Sequence, residues 1–330
     1  MQKKYKLGII GAGSIVGLTH LPILKNIDQI EVSWQYDKST TRSAIVSKMF
    51  QVPVLKEDEL ENAIKGIDIC LLTIPYGVRR SFIENCAANN KSLFVEKPFA
   101  TTIKEHEYYC SLFPSYKLAV GFQRRYYKIV PFLQQLVKSK FFGALKKIHL
   151  KEGYFILKGG NKFTSEVNLS GGGVIIESAI HSLDQILLIT SAQDVVVKDI
   201  KSLHKNLLDY DSLFTSVIFT NNNEIPITCE ISNLRNLSNG LELYFEHAIV
   251  KCQLTTDTRI KVLSSNNETI FNISDLEKYA GANSNSHSYS ILWDEYINSL
   301  NTETNNLTSC NSSILTTSWI DQIYKKMKNK

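Results

Sequence analysis

The sequence has no run approaching the roughly 18 consecutive apolar residues that a membrane-spanning helix requires. Its opening residues, MQKKYKLGIIGAG, hold an apolar run far too short for a secretory leader. It has no dense block of lysine and arginine. The net charge of +5 is spread along the chain, and the one short basic run is the C-terminal KKMKNK. We therefore expect neither a nucleic-acid nor a membrane partner. CxxC pairs are also missing. The six cysteines, at positions 70, 86, 110, 229, 252 and 310, lie far apart. That spacing argues against a zinc site, so no metal is expected, and it fits buried or free thiols in a reducing cytoplasm. What is present is a chain of 330 residues, 43% hydrophobic and 21% charged, long enough for about two globular domains.

Strand-like and helix-like stretches alternate through the first third. Strands are expected at 4–11, 30–37, 52–55, 67–75, 91–98 and 116–123, with helices near 40–49, 57–65, 78–89 and 102–112. Ile/Val/Leu-rich strands separated by helices indicate a parallel sheet with crossover helices. After about residue 122 the pattern changes. A helix over 126–138 and a long strand over 143–157 lead to a glycine-rich segment and its helix. Six strands then follow between 195 and 265 with no helices among them, which indicates an antiparallel or mixed sheet. Helices near 287–300 and 311–328 close the chain. The fold class is α/β: a dinucleotide-binding domain over 1–122 and an α+β domain over 123–330.

The segment GIIGAGSIVG places Gly11 and Gly13 directly after the first strand and at the start of a helix. Gly11 allows a tight turn, and Gly13 lets a pyrophosphate approach the backbone. The helix start, with Ser14 and Ile15, supplies N–H donors. The third glycine of the usual fingerprint is replaced by Val16. Asp37 ends the second strand, 24 residues after Gly13, where a carboxylate accepts bonds from a ribose 2′-hydroxyl and repels a 2′-phosphate. That favours NAD over NADP. NADP stays open because Lys38, Ser39 and Arg42 can grip a phosphate. Ile74, Pro75 and Glu96, at the ends of later strands, complete the expected cofactor contacts. In FVEKPF (94–99), Lys97 falls beyond a strand's carboxyl end, where ligands of open parallel sheets bind.

The stretch SGGGVIIESAIHSLDQIL (170–187) carries Glu177, His181 and Asp184. On an ideal helical wheel from Glu177, His181 lies at about 40° and Asp184 at about −20°. An apolar stripe of Ile176, Ile180, Leu183 and Leu187 runs alongside. The wheel predicts a carboxylate–imidazole–carboxylate row in which Glu177 holds the ring of a general base, His181. The three glycines leave room for a flat ligand.

Taken together and in this order, these motifs resemble the glucose-fructose oxidoreductase / inositol dehydrogenase / rhizopine catabolism (Gfo/Idh/MocA) family over nearly the whole chain. EKP follows the fifth strand, GGGVIIESAIHSLD parallels GGGxxxDxGxHxxD, and VGFQRRY resembles a segment that often faces substrate. The resemblance implies a Rossmann domain, then an open, mostly antiparallel sheet that often forms homodimer or homotetramer interfaces. It implies NAD(P)-dependent oxidation or reduction of sugars, cyclitols or nucleotide sugars. Lys97 matches the EKP lysine, His181 the catalytic histidine, and Glu177 the family aspartate. Ala179 replaces a common glycine, and IPYGVRR puts Arg79 where a histidine is frequent. On this reading a secondary alcohol gives hydride to nicotinamide C4 while His181 takes its proton and Lys97 stabilises the oxygen. Gln123, Arg124, Arg125 and Asp184 join His181 and Lys97 as expected substrate contacts, and the arginines, with Arg79, point to an anionic sugar derivative. Two rivals stand beside it. One is an enzyme of the same family acting on a bilin or dihydrodiol. The other is a non-catalytic, NAD(P)-sensing regulator.

Overall fold

The computed structural model describes residues 3–155, 167–202, 210–221, 223–265, 267–275 and 281–328. The chain divides into two compact units. The first comprises Met1–Ala100, Lys104–Phe122 and Tyr289–Ser313, and the second comprises Thr101–Ile103, Gln123–Ser288 and Ile314–Lys330. One junction thus falls at residue 122, but Tyr289–Ser313 returns to the first unit, so the block expected over 123–330 is not continuous.

In the first unit five parallel strands form a sheet in the order β2-β1-β3-β4-β5. They are β1 (Tyr5–Ile10), β2 (Ile30–Tyr36), β3 (Ile69–Leu72), β4 (Ser92–Val95) and β5 (Leu118–Val120). β3 and β4 are wholly buried, as expected of parallel strands covered on both faces. The stretch 52–55 forms a single bridge, Gln35↔Val54, on the outer edge of β2. It stands where a Rossmann sheet has its third strand, which Pro53 and the exposed Val54 reduce to a stub. Counting that stub restores the 3-2-1-4-5-6 order. The connecting helices include α1 (Leu21–Leu24), α2 (Thr40–Phe50), α3 (Leu60–Lys65), α4 (Arg80–Ala88) and α5 (Ile103–Ser111). A π-helical turn, Val16–His20, precedes α1.

The second unit is built on eight strands in the order β13-β12-β11-β10-β6-β9-β8-β7. These are β6 (Leu145–Gly153), β7 (Asp194–Ser202), β8 (Asp211–Phe219), β9 (Glu224–Ser232), β10 (Gly240–Phe245), β11 (Ile249–Cys252), β12 (Arg259–Ser264) and β13 (Asn267–Asn272). Among these strands only the inner pair β6–β9 is parallel. Alternation along β8, where Phe214, Ser216 and Ile218 are buried and Leu213, Thr215 and Val217 are not, marks a sheet with one covered face. Helices α6 (Ile129–Ser139), α7 (Ile180–Thr190) and α9 (Ile314–Lys328) belong to this unit, and the indole of Trp319 on α9 donates to Ser216 Oγ on β8 (2.9 Å). Strand β13 was not expected. Its residues are almost all exposed and its two apolar ones, Ile270 and Phe271, are adjacent, so it lacks the alternation that betrays a strand. The ends of the strands expected at 143–157 and 195–204 lie partly outside the described residues.

The long helix α8 (Asn285–Thr302) enters the first unit at Tyr289. Tyr289, Trp293 and Tyr296 lie on one side at i, i+4 and i+7 spacing and are buried there. Trp293 stacks on Phe94 of β4, with ring centroids 4.4 Å apart at 16°.

Candidate active site

The carboxyl ends of the parallel strands gather most of the expected residues of the first unit. Gly11 follows β1 at φ +104°, and a Cβ there would sit 2.5 Å from Thr73 Oγ1, so only glycine fits. Thr73 Oγ1 donates to Gly11 O (2.9 Å). At Gly13 a Cβ would meet no heavy atom within 4 Å, so the backbone faces open space. Asp37 is pinned against this turn. One carboxylate oxygen accepts the Ala12 N–H and the other the Ser39 N–H, both at 2.7 Å. Each oxygen keeps a further lone pair for a ligand hydroxyl. Ser39 caps α2 by accepting the Arg42 N–H (3.4 Å), so its hydroxyl is engaged, while Lys38, Arg42 and Ser14 are exposed. Ile15, Ile74 and Pro75 are half-buried at the same edge. This cradle fits a dinucleotide.

The helix that begins at Gly13 opens with the π turn, which delivers His20 into the core. The Trp293 indole N–H donates to His20 Nδ1 (3.0 Å), so the ring's hydrogen sits on Nε2 and is donated to Glu96 Oε1 (3.0 Å). The Tyr289 hydroxyl donates to the same oxygen (2.8 Å). Glu96 was expected to touch the cofactor. Its buried carboxylate is instead committed to His20 and Tyr289. Burial pushes its pKa up, but the bonds from His20 and Tyr289 and the nearby Lys97 charge outweigh burial and hold it below the usual carboxylate value. Sequence reasoning missed His20, Tyr289 and Trp293. The aromatic spacing on α8 was the one available signal.

Lys97 is half-buried just beyond β4, and its peptide bond to Pro98 is cis. Arg79 is 2% exposed. One of its Nη atoms donates to Glu96 O (2.7 Å) and to Pro98 O, and the other donates to Ile74 O (2.7 Å). Burial lowers its pKa to about 10, with neighbouring Glu96 opposing the drop, so it stays cationic at neutral pH. The expectation that Arg79 grips an anionic substrate is therefore corrected: its guanidinium is taken up by backbone carbonyls.

In the second unit Gly171 (φ +84°) leads into another π turn, Ile175–Ala179, in which the Ile180 N–H reaches back five residues to Ile175 O. Such a turn departs from the 3.6-residue wheel. His181 (5% exposed) and Asp184 (2%) are buried, whereas Glu177 is exposed and accepts a long bond from Asn233 Nδ2 (3.5 Å). The three therefore do not form the uniform row that the ideal wheel predicts. Asp184 and Arg125, both expected to touch substrate, instead face each other in a buried fork. Arg125 Nε and Nη2 donate to the two carboxylate oxygens at 2.7 and 2.6 Å, and Thr316 Oγ1 adds a third bond (2.7 Å). Burying two charges is tolerated because the geometry is bidentate and Thr316 adds a bond to the carboxylate.

Gln123 and Arg124 remain as substrate candidates. Gln123 Nε2 donates to Asn285 Oδ1 (3.1 Å), while its buried Oε1 has no partner among the described residues. Arg124 is half-buried, and Gln185 Nε2 fixes its carbonyl (3.0 Å). Its side chain lines a cavity of about 80 Å³ together with Glu152, Tyr154 and Ser182. Burial raises the Tyr127 pKa, with the adjacent Arg124 charge opposing it.

Comparison with known proteins bears on both units. The family model of the Gfo/Idh/MocA oxidoreductases, NAD-binding Rossmann fold, matches residues 5–122. No curated protein matches the sequence significantly. Among solved structures, the aldose-aldose oxidoreductase of Caulobacter crescentus, complexed with glycerol, is 15% identical at a TM-score of 0.83, with 99% of this chain and 98% of that chain covered. A 3-ketoreductase from Actinomadura kijaniata, in complex with NADP and TDP-benzene, is 11% identical at a TM-score of 0.82, with 98% of each chain covered. An oxidoreductase from Agrobacterium radiobacter, in complex with NAD+, L-tartaric acid and magnesium, is 16% identical at a TM-score of 0.77, covering 99% of this chain and 97% of that chain. At these identities the likeness is one of fold.

Proposed function

Residues 5–122 belong to the Gfo/Idh/MocA family of NAD-binding oxidoreductases, and from that premise we propose that the chain is an NAD(P)-dependent dehydrogenase or reductase of a sugar, acting at a secondary alcohol or its ketone. One observation carries this reading. The open backbone at Gly13, the pinned Asp37 and the half-buried Lys97 all stand at the carboxyl edge of one parallel sheet. That edge is where such sheets bind a dinucleotide.

The Gly11–Ile15 turn would hold a pyrophosphate through backbone N–H groups, and Asp37 would take the ribose hydroxyls, which favours NAD over NADP. Bound nicotinamide supplies a hydride acceptor or donor. Lys97 would hydrogen-bond the substrate oxygen and stabilise the negative charge that develops there. His181 would take or return the proton of that oxygen. Gln123, with its unpartnered acceptor, suits a sugar hydroxyl. Arg124 suits an anionic group such as that of a nucleotide sugar. Of the three arginines considered for that role, Arg79 is taken up by buried carbonyls and Arg125 by Asp184, whereas the half-buried Arg124 touches Tyr127 and lines a cavity. The half-exposed outer face of the C-terminal sheet suits a homodimer or homotetramer. The six free thiols suit a cytoplasmic setting, and no helix among the described residues is long and apolar enough to cross a membrane.

The test is a screen of nucleotide sugars and free sugars, and their ketones, with NAD and NADP, read as nicotinamide absorbance. It is paired with calorimetric titration of NADH and NADPH. We expect turnover of at least one anionic sugar and tighter binding of NADH. Equal turnover of neutral sugars removes the anionic assignment. Cofactor binding without any turnover removes the enzymatic reading and leaves a cofactor sensor.

A further inference from the structure

We propose that Arg79 is a positioning residue for the reaction: a buried guanidinium clamp that fixes the backbone on both sides of Lys97. The inference rests on the assignment of Lys97 above. β3 and β4 pair in parallel as far as Leu72↔Val95. Beyond that pair the two chains enter the loops that carry Ile74 and Glu96–Lys97–Pro98. Arg79 continues the connection where the ladder stops. It donates to Ile74 O on one loop, and to Glu96 O and Pro98 O on the other. The carbonyls it holds on the second loop belong to the residues immediately before and after Lys97.

Three features argue that holding these carbonyls is what the side chain is for. Arg79 is 2% exposed, and its hydrogen bonds among the described residues all go to main-chain oxygens, so it is built into the protein rather than aimed at a ligand. Its Nε has no partner among the described residues, an unmet donor that is tolerated while the two Nη positions are kept. Only a planar fork with donors on two separate nitrogens reaches three carbonyls from one stem, which an ammonium cannot imitate with the same rigidity. Glu96 is gripped twice, by Arg79 at its carbonyl and by His20 and Tyr289 at its carboxylate. Lys97 thus leaves a backbone anchored before and after it. Placing a reacting group to within a fraction of an ångström is worth large factors in rate.

The test compares Arg79→Met, Arg79→Lys, Lys97→Met and the double variant Arg79→Met/Lys97→Met in the full-length protein. Arg79→Met is expected to lower kcat by about 10²-fold while the Kd for NADH stays within about threefold, and Arg79→Lys to recover part of the loss. Because the clamp acts through Lys97, Arg79→Met added to Lys97→Met should lower kcat by less than about threefold more. Hydrogen exchange supplies a readout that needs no turnover. Amides over 94–100 should exchange at least about tenfold faster in Arg79→Met and at the native rate in Lys97→Met. Fully additive losses in kcat, or native exchange over 94–100 in Arg79→Met, overturn the proposal. An unchanged kcat in Lys97→Met overturns the parent reading instead, and the exchange experiment still decides the clamp.

Discussion

Two helix starts in this chain are built alike and used differently. In the first unit Gly11 and Gly13 lead into a π turn, Val16–His20; in the second, Gly171 to Gly173 lead into a π turn, Ile175–Ala179. Each turn delivers a histidine into a buried position, His20 at its last residue and His181 two residues beyond. His20 is spent on structure, with both ring nitrogens taken by Trp293 and Glu96. The residue beside it for which we propose chemistry is Lys97, one along from Glu96. In the second unit the buried acid on the helix, Asp184, is the group spent on structure, and His181 is the group for which we propose chemistry. A glycine-led π turn is therefore a way to carry a polar ring inward, and the partners waiting there decide what the ring does.

The sharpest way to break this comparison is to delete each ring. His181→Ala is expected to lower kcat by about 10²–10⁴-fold with little change in melting temperature or cofactor affinity. A variant that keeps its rate but melts early would put His181 on the same footing as His20. Next in size is the buried fork. Asp184→Asn leaves the Arg125 charge without its counter-ion, and urea denaturation should register a loss of about 3–5 kcal/mol. A change confined to KM would instead return Asp184 to substrate binding.

His20→Ala should cost about 2–3 kcal/mol, because it strands the Trp293 donor and removes one of the bonds to the buried Glu96 carboxylate. It should also change the acid limb of stability. The folded pKa of Glu96 lies below its ordinary value of 4.5. The stability it contributes is therefore complete above that value and lost as pH falls through the lower, folded one. Loss of His20 brings the folded value up toward 4.5, so the acid-induced decline of the variant should be shallower than that of the parent protein. Parallel curves of stability against pH would mean that Glu96 is held by something else. The smallest effect is expected at Glu177. An exposed carboxylate that accepts a long bond from Asn233 (3.5 Å) can be replaced by an amide, so Glu177→Gln should change kcat by less than about tenfold. A loss matching that of His181→Ala would show that the acid is indispensable to the ring.

How much of this was legible in the sequence follows from the range of the interactions. The alternation of apolar strands and helices, the glycine turn and the Asp37 position are local patterns, and they placed the parallel sheet and its cofactor edge. Even the stretch at 52–55 marked the third strand's place, although only one bridge of it forms. The ideal wheel failed over 175–181 because a π turn changes the angular step, and nothing in the residue types announces one. Arg125 and Asp184 read as two free charges because their pairing spans 59 positions, and the His20–Trp293 bond spans 273. Arg79 read as a cation for an anionic substrate because its partners are main-chain carbonyls, which carry no residue signature. The edge strand β13 hid for the opposite reason: it buries almost nothing.

The return of Tyr289–Ser313 to the first unit also sets an order of assembly during synthesis. The aromatic ring that stacks on Phe94, the hydroxyl that caps Glu96 and the indole that fixes His20 all come from α8, nearly 200 residues downstream. The parallel sheet emerges from the ribosome early, yet it waits for most of the chain before its last layer arrives. Until then the carboxylate beside Lys97 lacks the Tyr289 donor, and His20 lacks the indole that fixes its ring. The nucleotide-binding unit is thus begun before the second unit and completed only after most of that unit has been made, so its finished packing reports that the chain has been translated at least through Trp293.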